Sequence, residues 1–368
     1  MAGRTVYFTG PREVSVRETS VPDPGPGELA VEATVSAISP GTELLLYRGE
    51  MNPEKAVDET LPSLSGSFSY PFPYGYATVG TVTAVGPEVD PAWRDETVLA
   101  FHPHASRFVV GVDAVSRVPD GIAPERAVFL PNVETAVTLA LDGEPAIGER
   151  AVVFGQGVIG LLTTALLSSF PLSELVTVDP IASRRDRSKA MGADRSVDPD
   201  AVDPGSLFAD GPSSDRADDP SAPSASSTSP GATPATGDRD EASSPGHADL
   251  TYELSGNPAA LDDAVDATGY DGRVVVGSWY GTKPTELSLD GRFHRSRIDI
   301  RASQVSTLAP ERRGRWTVGR RLATAWRRLR EIDTDRLVTH RLPVVEAPEA
   351  YDLLDSRPTE AVQVLLTY

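Results

Sequence analysis

Residues 150–179 read RAVVFGQGVIGLLTTALLSSFPLSELVTVD. The apolar run Ala151-Val152-Val153-Phe154 passes directly into Gly155-Gln156-Gly157-Val158-Ile159-Gly160, and apolar positions then recur at helical spacing as far as Phe170. The pattern predicts a strand, a glycine turn and a helix in immediate succession. A second apolar run, 175–178, ends in Asp179, at about the 20-residue spacing where a dinucleotide fold needs an acid for a ribose hydroxyl. The three glycines do different things. Gly155 makes the tight turn, Gly157 lets the backbone approach a pyrophosphate, and Gly160 lets the helix pack on the strand. Val158 and Ile159 open a helix whose free N–H groups and positive dipole end suit phosphates. Three glycines alone would also fit a tight turn with no ligand; the flanking elements and the spaced acid favour a nucleotide site. Asp179 favours NAD over NADP, because a carboxylate accepts from ribose hydroxyls and repels a 2′-phosphate. Arg184 and Arg185 follow closely and could accommodate that phosphate, so NADP stays open.

Outward from this stretch, 121–304 alternates helices (134–141, 183–191, 260–268) with apolar strands (250–254, 272–277). Such alternation builds a doubly wound parallel sheet with helices on both faces. Ser255, Gly256 and Gly277 fall at strand ends, where they either face the cofactor or serve turn geometry. Within this unit, 203–247 is dominated by Asp, Ser, Pro, Ala, Gly and Thr, and is expected to be a disordered acidic insertion. Residues 1–120 read instead as short strands broken by turns, with Gly80 and Gly86 as bend or bulge points and a proline-rich surface loop over 52–73. Past Gly281 the pattern predicts a strand over 293–304 and a long helix over 310–331; the stretch 337–344, a short helix over 347–356 and a final strand over 361–368 close the chain. A terminal strand of this kind returns to the first domain, so 1–120 is completed by about 305–368.

The 368 residues suit two domains, and the absence of cysteine excludes disulfides, thiolate zinc sites and a cysteine nucleophile. Acidic residues outnumber basic ones 53 to 34, for a net charge of −19, and Lys55, Lys189 and Lys283 are the only lysines. Such a surface repels itself at low salt and is screened at molar salt, which points to a halophile's cytoplasm. Nucleic acid is excluded as a partner by the charge balance, the arginine cluster over 312–330 reading as a solvated or ion-paired helix face. No signal pattern opens the chain and no apolar run approaches the ~18 residues of a membrane span, so a soluble, cytoplasmic protein is expected.

One further set of motifs remains: VPDPGPGE (21–28), Pro40-Gly41-Thr42-Glu43, Gly75-Tyr76-Ala77-Thr78-Val79-Gly80, Met191-Gly192-Ala193-Asp194 and Ser255-Gly256-Asn257-Pro258. With the glycine loop, they resemble the medium-chain dehydrogenase/reductases, the superfamily of the zinc alcohol dehydrogenases, across nearly the whole chain. The resemblance implies an α/β fold: a GroES-like, mostly β catalytic domain with a Rossmann domain inserted, the active site in the cleft between them, NAD(P) as cofactor, a small alcohol or carbonyl substrate and a homo-oligomer. It also exposes departures. Pro40 stands where zinc-dependent members carry a cysteine ligand, Tyr76 where they carry a histidine, and Ala77 for the glutamate; a phenol with a pKa near 10 is a poor ligand. The structural zinc lobe is missing as well, since Val98 runs almost directly through AFHPHASRFVV. The pattern is similar to a zinc-free branch related to the chlorophyllide dehydrogenases.

Without a metal, the resemblance assigns Thr42 and Tyr76 as hydrogen-bond donors or proton-relay members at the substrate oxygen, with His102 as a further catalytic candidate and His104 beside it. Glu43 either orients Thr42 or is an ion-paired structural acid, and Glu134 reads as an acid stabilising a helix N-terminus. Trp279 and Tyr280 either line the cleft or pack. Two alternatives stay open: a zinc alcohol dehydrogenase with metal held by His102, His104 and an acid such as Glu43, and a catalytically silent nucleotide-binding protein.

Overall fold

A computed structural model describes residues 2–52, 68–209 and 246–368. The chain opens with β1 (Ala2–Gly10) and β2 (Glu13–Ser20), paired antiparallel. Then follow β3 (Glu28–Ala37), helix α1 (Pro40–Arg48), β4 (Phe72–Pro73), β5 (Thr78–Val85), β6 (Thr97–Ala100), β7 (Arg107–Gly111) and β8 (Val115–Arg117). Helix α1 starts where Ser39 takes an extended conformation and Pro40 presets the first helical φ; it stops at Gly49, whose φ of 73° is left-handed. Gly80 is required by packing: a β-carbon there would lie 2.3 Å from the Glu32 carbonyl oxygen, beside a register shift between β3 and β5. Most of the 52–73 loop lies outside the described residues, but its described end is not surface. Phe68 and Phe72 are buried, and β4 pairs with β1.

The second half holds α2 (Pro124–Ala127), α3 (Leu130–Gly143), β9 (Arg150–Phe154), α4 (Val158–Leu167), β10 (Glu174–Val178), α5 (Ala182–Ala190), β11 (Arg195–Val197), β12 (Ala248–Glu253), α6 (Ala259–Ala267), β13 (Thr268–Val276) and β14 (Asp299–Ala302). Its six strands form one parallel sheet in the order β11-β10-β9-β12-β13-β14. Residues Ala151 to Phe154 of β9 are all buried because α3 and α4 cover one face of the sheet and α6 the other, which explains an unbroken apolar run. The chain closes with α7 (Val318–Glu331), β15 (Val338–Pro343), α8 (Ala347–Ser356) and β16 (Gln363–Thr367). Strand β16 pairs antiparallel with β3, so the C-terminus does return to the first, mostly β sheet, ordered β15-β16-β3-β5-β6-β8 with β7 also on β3.

Three expected elements differ. The 203–247 insertion begins too early: Leu207 and Phe208 are buried against α6, because two apolar side chains there extend the core, and 210–245 lies outside the described residues. The strand expected over 293–304 shrinks to β14, since Leu289–Phe293 forms a helical turn and Arg297 takes a left-handed φ of 54° that breaks the alternation. The long helix over 310–331 is two pieces, a turn at Pro310–Arg312 and α7, whose start is set by the Thr317 side chain accepting from the Arg320 N–H at 3.1 Å. Among the described residues no helix is long and apolar enough to cross a membrane.

Candidate active site

Parallel register brings the nucleotide candidates to one edge. Phe154 of β9 lies opposite Val178 of β10 and Glu253 of β12, and Glu253 opposite Val276 of β13. Gly155, Asp179, Ser255 and Gly277 each follow one of these strand ends, on the carboxyl edge where the sheet order turns between β9 and β12, the crevice in which open α/β sheets hold ligands. Gly155 has a φ of 85°, and a β-carbon on it would sit 2.5 Å from the Ser255 backbone. On Gly160 a β-carbon would lie 1.9 Å from the Gly155 carbonyl oxygen, so this glycine lets α4 close on the turn itself. Gly157 differs: nothing lies within 4 Å of a β-carbon built there, and it caps α4, whose first N–H groups, those of Val158, Ile159 and Gly160, have no intrahelical acceptor. Gly277 admits Leu139 of α3, whose methyl would be 2.9 Å from a β-carbon.

Asp179 is buried at the end of β10, accepting the Gln156 N–H at 2.7 Å on one oxygen and the Ile181 N–H at 2.8 Å on the other. The acid thus braces the glycine loop while keeping lone pairs for a further donor. Arg185 is committed elsewhere, to the Asp179 and Pro180 carbonyls and the Asp198 carboxylate at 2.8 Å. Arg184 turns to the Pro358 and Ala361 carbonyls, its Nε buried without a partner among the described residues. Sequence reasoning missed two groups that hold the loop. Buried Gln156 donates to the Val153 and Gly155 carbonyls and accepts from Thr164. Buried Glu253 accepts the Ser255 N–H at 2.8 Å and the Ser255 and Tyr280 hydroxyls, so Tyr280 packs as a brace. The signal available for Glu253 was a carboxylate placed at the end of a strand directly after Leu250, Thr251 and Tyr252. Exposed Trp279 meets Phe68, and the adjoining Thr282 N–H donates to the Glu50 carbonyl at 2.9 Å, joining this edge to the end of α1.

The second group of candidates is organised by Glu43, which is fully buried in the first turn of α1. Its Oε1 accepts the Ser39 N–H at 2.8 Å; its Oε2 accepts the Tyr351 hydroxyl from α8 and lies 3.0 Å from His104 Nε2. His104 is also fully buried, and its Nδ1 meets the Ser36 hydroxyl at 2.7 Å, itself 2.8 Å from the Tyr368 hydroxyl. Room for the imidazole comes from Gly75: its φ of 131° suits glycine alone, and a β-carbon would lie 2.8 Å from the ring. Glu43 is therefore a structural acid, as one sequence reading had it, but its partners were not legible.

Tyr76 reaches this cluster through its hydroxyl, which donates to Ser39 Oγ. Burial, with the Glu43 charge adding to it, pushes the phenol up to about 12, against the pull of hydrogen bonding from Ser39 and Thr42. Thr42, Ser39 and Tyr76 thus bring three hydroxyls together at the start of α1. His102 points elsewhere: its Nδ1–H donates to the Pro103 carbonyl at 2.8 Å, and its ring stacks on Phe108 at 4.0 Å. Burial lowers its pKa to about 4, and none of its described contacts is with Tyr76, Ser39 or Thr42. Glu134 is no helix-end acid: it lies in the second turn of α3, paired with buried Arg321 of α7 at 3.0 Å. Among the described residues no three His, Asp or Glu side chains form a group that could hold a metal.

No protein-family model matches the chain. The chain is 27% identical over 365 residues to the 2-desacetyl-2-hydroxyethyl bacteriochlorophyllide A dehydrogenase of Rhodobacter capsulatus, covering 95% of this chain and 94% of the relative. Among solved structures, an alcohol dehydrogenase from Escherichia coli CFT073 complexed with NADH matches with a TM-score of 0.74 at 19% identity, over 100% of this chain and 99% of that one. A Sinorhizobium meliloti 1021 dehydrogenase, described as zinc-binding and solved with NADP, matches with a TM-score of 0.73 at 20% identity over 100% of both chains.

Proposed function

Because the chain belongs to the medium-chain dehydrogenase/reductase superfamily, an oxidoreductase family using NAD(P), we propose that it is a zinc-independent, NAD-preferring enzyme that moves hydride between nicotinamide and an alcohol or carbonyl carbon. One observation carries the proposal: the Tyr76 hydroxyl, at the motif position where zinc-dependent relatives carry a histidine, is tied to Ser39, whose N–H is held by Glu43. The donor set does not fit zinc. Pro40 has no ligand atom, Tyr76 is held as a phenol, and His104 and Glu43 have spent their ring nitrogens and carboxylate oxygens on one another and on Ser36, Ser39 and Tyr351.

The preference for NAD rests on buried Asp179 and on the two arginines behind it, both engaged with other acceptors. Gly155, Gly157, Val158, Ile159 and Gly160 would hold the pyrophosphate, and Ser255 and Gly277 would flank the nicotinamide side. The bound dinucleotide supplies or accepts the hydride; the proton falls to the chain. In carbonyl reduction the substrate oxygen gains charge as its carbon gains hydride, and Tyr76, kept protonated, donates its hydroxyl proton to that oxygen while Thr42 orients it. Ser39, which accepts the Tyr76 proton at rest, is the group through which the proton is restored. Oxidation runs the same steps in reverse. We place the chemistry on residues 1–120 with 305–368 and the cofactor on 121–304, and assign the acidic surface to a salt-rich cytoplasm.

The test uses the full chain in molar salt. NADH should bind with a fluorescence change, metal analysis of protein purified without chelator should find no stoichiometric zinc, and a panel from simple secondary alcohols to a hydroxyethyl chlorophyllide should show turnover. Tyr76→Phe should lower kcat by about 10²–10⁴-fold with NADH affinity unchanged. Stoichiometric zinc, or a Tyr76→Phe enzyme with wild-type kcat, sinks the proposal.

A further inference from the structure

A groove of about 510 Å³ lies at the far end of α4 from the glycine loop. Its floor is apolar, made by Val137 and Ala140 of α3, Leu166 of α4 and Phe170 just beyond it. Its wall is cationic: Arg312, Arg315, Arg320, Arg327 and Arg328 all line it. In a chain of net charge −19 this concentration is out of keeping with the rest of the surface. Few acids answer it. Glu144, on the rim, lies 2.7 Å from Arg312 and is shared with Arg301, and Arg328 pairs with Glu331 at 2.6 Å. Arg315 and Arg327 have no carboxylate partner among the described residues, and Arg312 Nε is buried with no acceptor. Arg320 lies over the Trp316 ring at 4.3 Å from its centroid, making a flat face that is apolar and cationic at once.

We infer that this groove binds an amphiphilic anion, a phosphate or carboxylate head on an apolar body. The head sits against Arg315 and Arg327, where the local field favours an anion and the guanidinium forks can each give two hydrogen bonds. The body lies on half-buried Trp316 and Phe170, above buried Leu166, and covers the apolar surface those two rings still expose. A volume of this size matches small-molecule sites, and a solvated arginine face would need no apolar floor. Leu166, the α4 residue lining the groove, lies nine residues from Gly157, about 14 Å of helix, so this is a second site and does not rest on the proposed reaction.

Decyl phosphate, kept below its micelle-forming concentration, is the probe, titrated by calorimetry into the full-length protein beside inorganic phosphate and decanol. Wild type should bind one decyl phosphate per chain, at least tenfold more tightly than either single-feature probe. The Arg315→Gln/Arg327→Gln variant should lose at least tenfold in that affinity while binding NADH as wild type does. Equal affinity in wild type and variant overturns the inference. So does decanol or inorganic phosphate binding as well as decyl phosphate, or a variant whose only change is its oligomeric state, which would make the groove an interface between copies.

Discussion

Two alanine substitutions three residues apart in the glycine loop should fail in opposite ways. At Gly157 a new methyl meets nothing within 4 Å, and the backbone there, φ −73° and ψ −168°, is open to any residue. Gly157→Ala should therefore fold as wild type and gain stability of up to ~0.4–1 kcal/mol, because alanine has fewer unfolded conformations to lose. The methyl nevertheless fills the space assigned to the pyrophosphate, so NADH affinity should fall at least tenfold, ~1.4 kcal/mol. At Gly160 the methyl would lie 1.9 Å from the Gly155 carbonyl oxygen, against ~3.5–4.0 Å for ordinary contact. A backbone carbonyl cannot rotate out of the way as a side chain does, so α4 or the turn must move. Gly160→Ala should lose ~1–3 kcal/mol or more before any cofactor is added. Thermal melts without cofactor and NADH fluorescence titrations, both in molar salt, separate the two effects. A Gly157→Ala protein that binds NADH with wild-type affinity would refute the assignment of that space to the pyrophosphate.

Other substitutions probe the supports. Arg321→Met leaves the buried Glu134 carboxylate without its counter-charge and should cost ~3–5 kcal/mol at neutral pH. Burial raises the Glu134 carboxyl above its ordinary value, Arg321 opposing it, so the ionised form is the costly one. The deficit should then be small near pH 4.5 and grow as pH rises through the raised pKa; urea unfolding showing the same deficit at pH 4.5 and 7.5 would contradict this. Gly75→Ala drives a methyl into the His104 ring from a left-handed φ of 131°, and should lower the melting temperature sharply and reduce kcat through the displaced Glu43–Ser39–Tyr76 link. Because the Tyr76 phenol is pushed up to about 12, it stays protonated through neutral pH, and the pH–rate profile should show no tyrosine ionisation below about pH 10.

Local patterning was enough to specify the strand, glycine turn and helix over 150–167. A both-faces-buried strand is written as a continuous apolar run, and a helix closing on a turn needs glycine at fixed offsets, so β9, its loop and α4 could be read from adjacent residues. Helix α8 over 347–356 and the return of the last strand were legible for the same reason. The 310–331 helix was not, because Thr317 offers its own cap in mid-segment and splits it.

What only the tertiary structure decided is the company the polar residues keep. Glu43 meets His104 61 residues away and Tyr351 308 residues away, and Glu134 meets Arg321 across 187. No periodicity records such pairs, since each is made by two elements packing after both have formed. Burial is what gives the pairs their force: the same carboxylates on the surface would be screened by water and salt, and in the core they hold hydroxyls in place and move a phenol's pKa. The sequence by itself determined the fold, the glycine loop and the residues, Pro40 and Tyr76, that stand at the two motif positions. The packing of α8 and His104 against Glu43 of α1 fixed the surroundings of the hydroxyls at the start of α1, while His102 stacks on Phe108 instead.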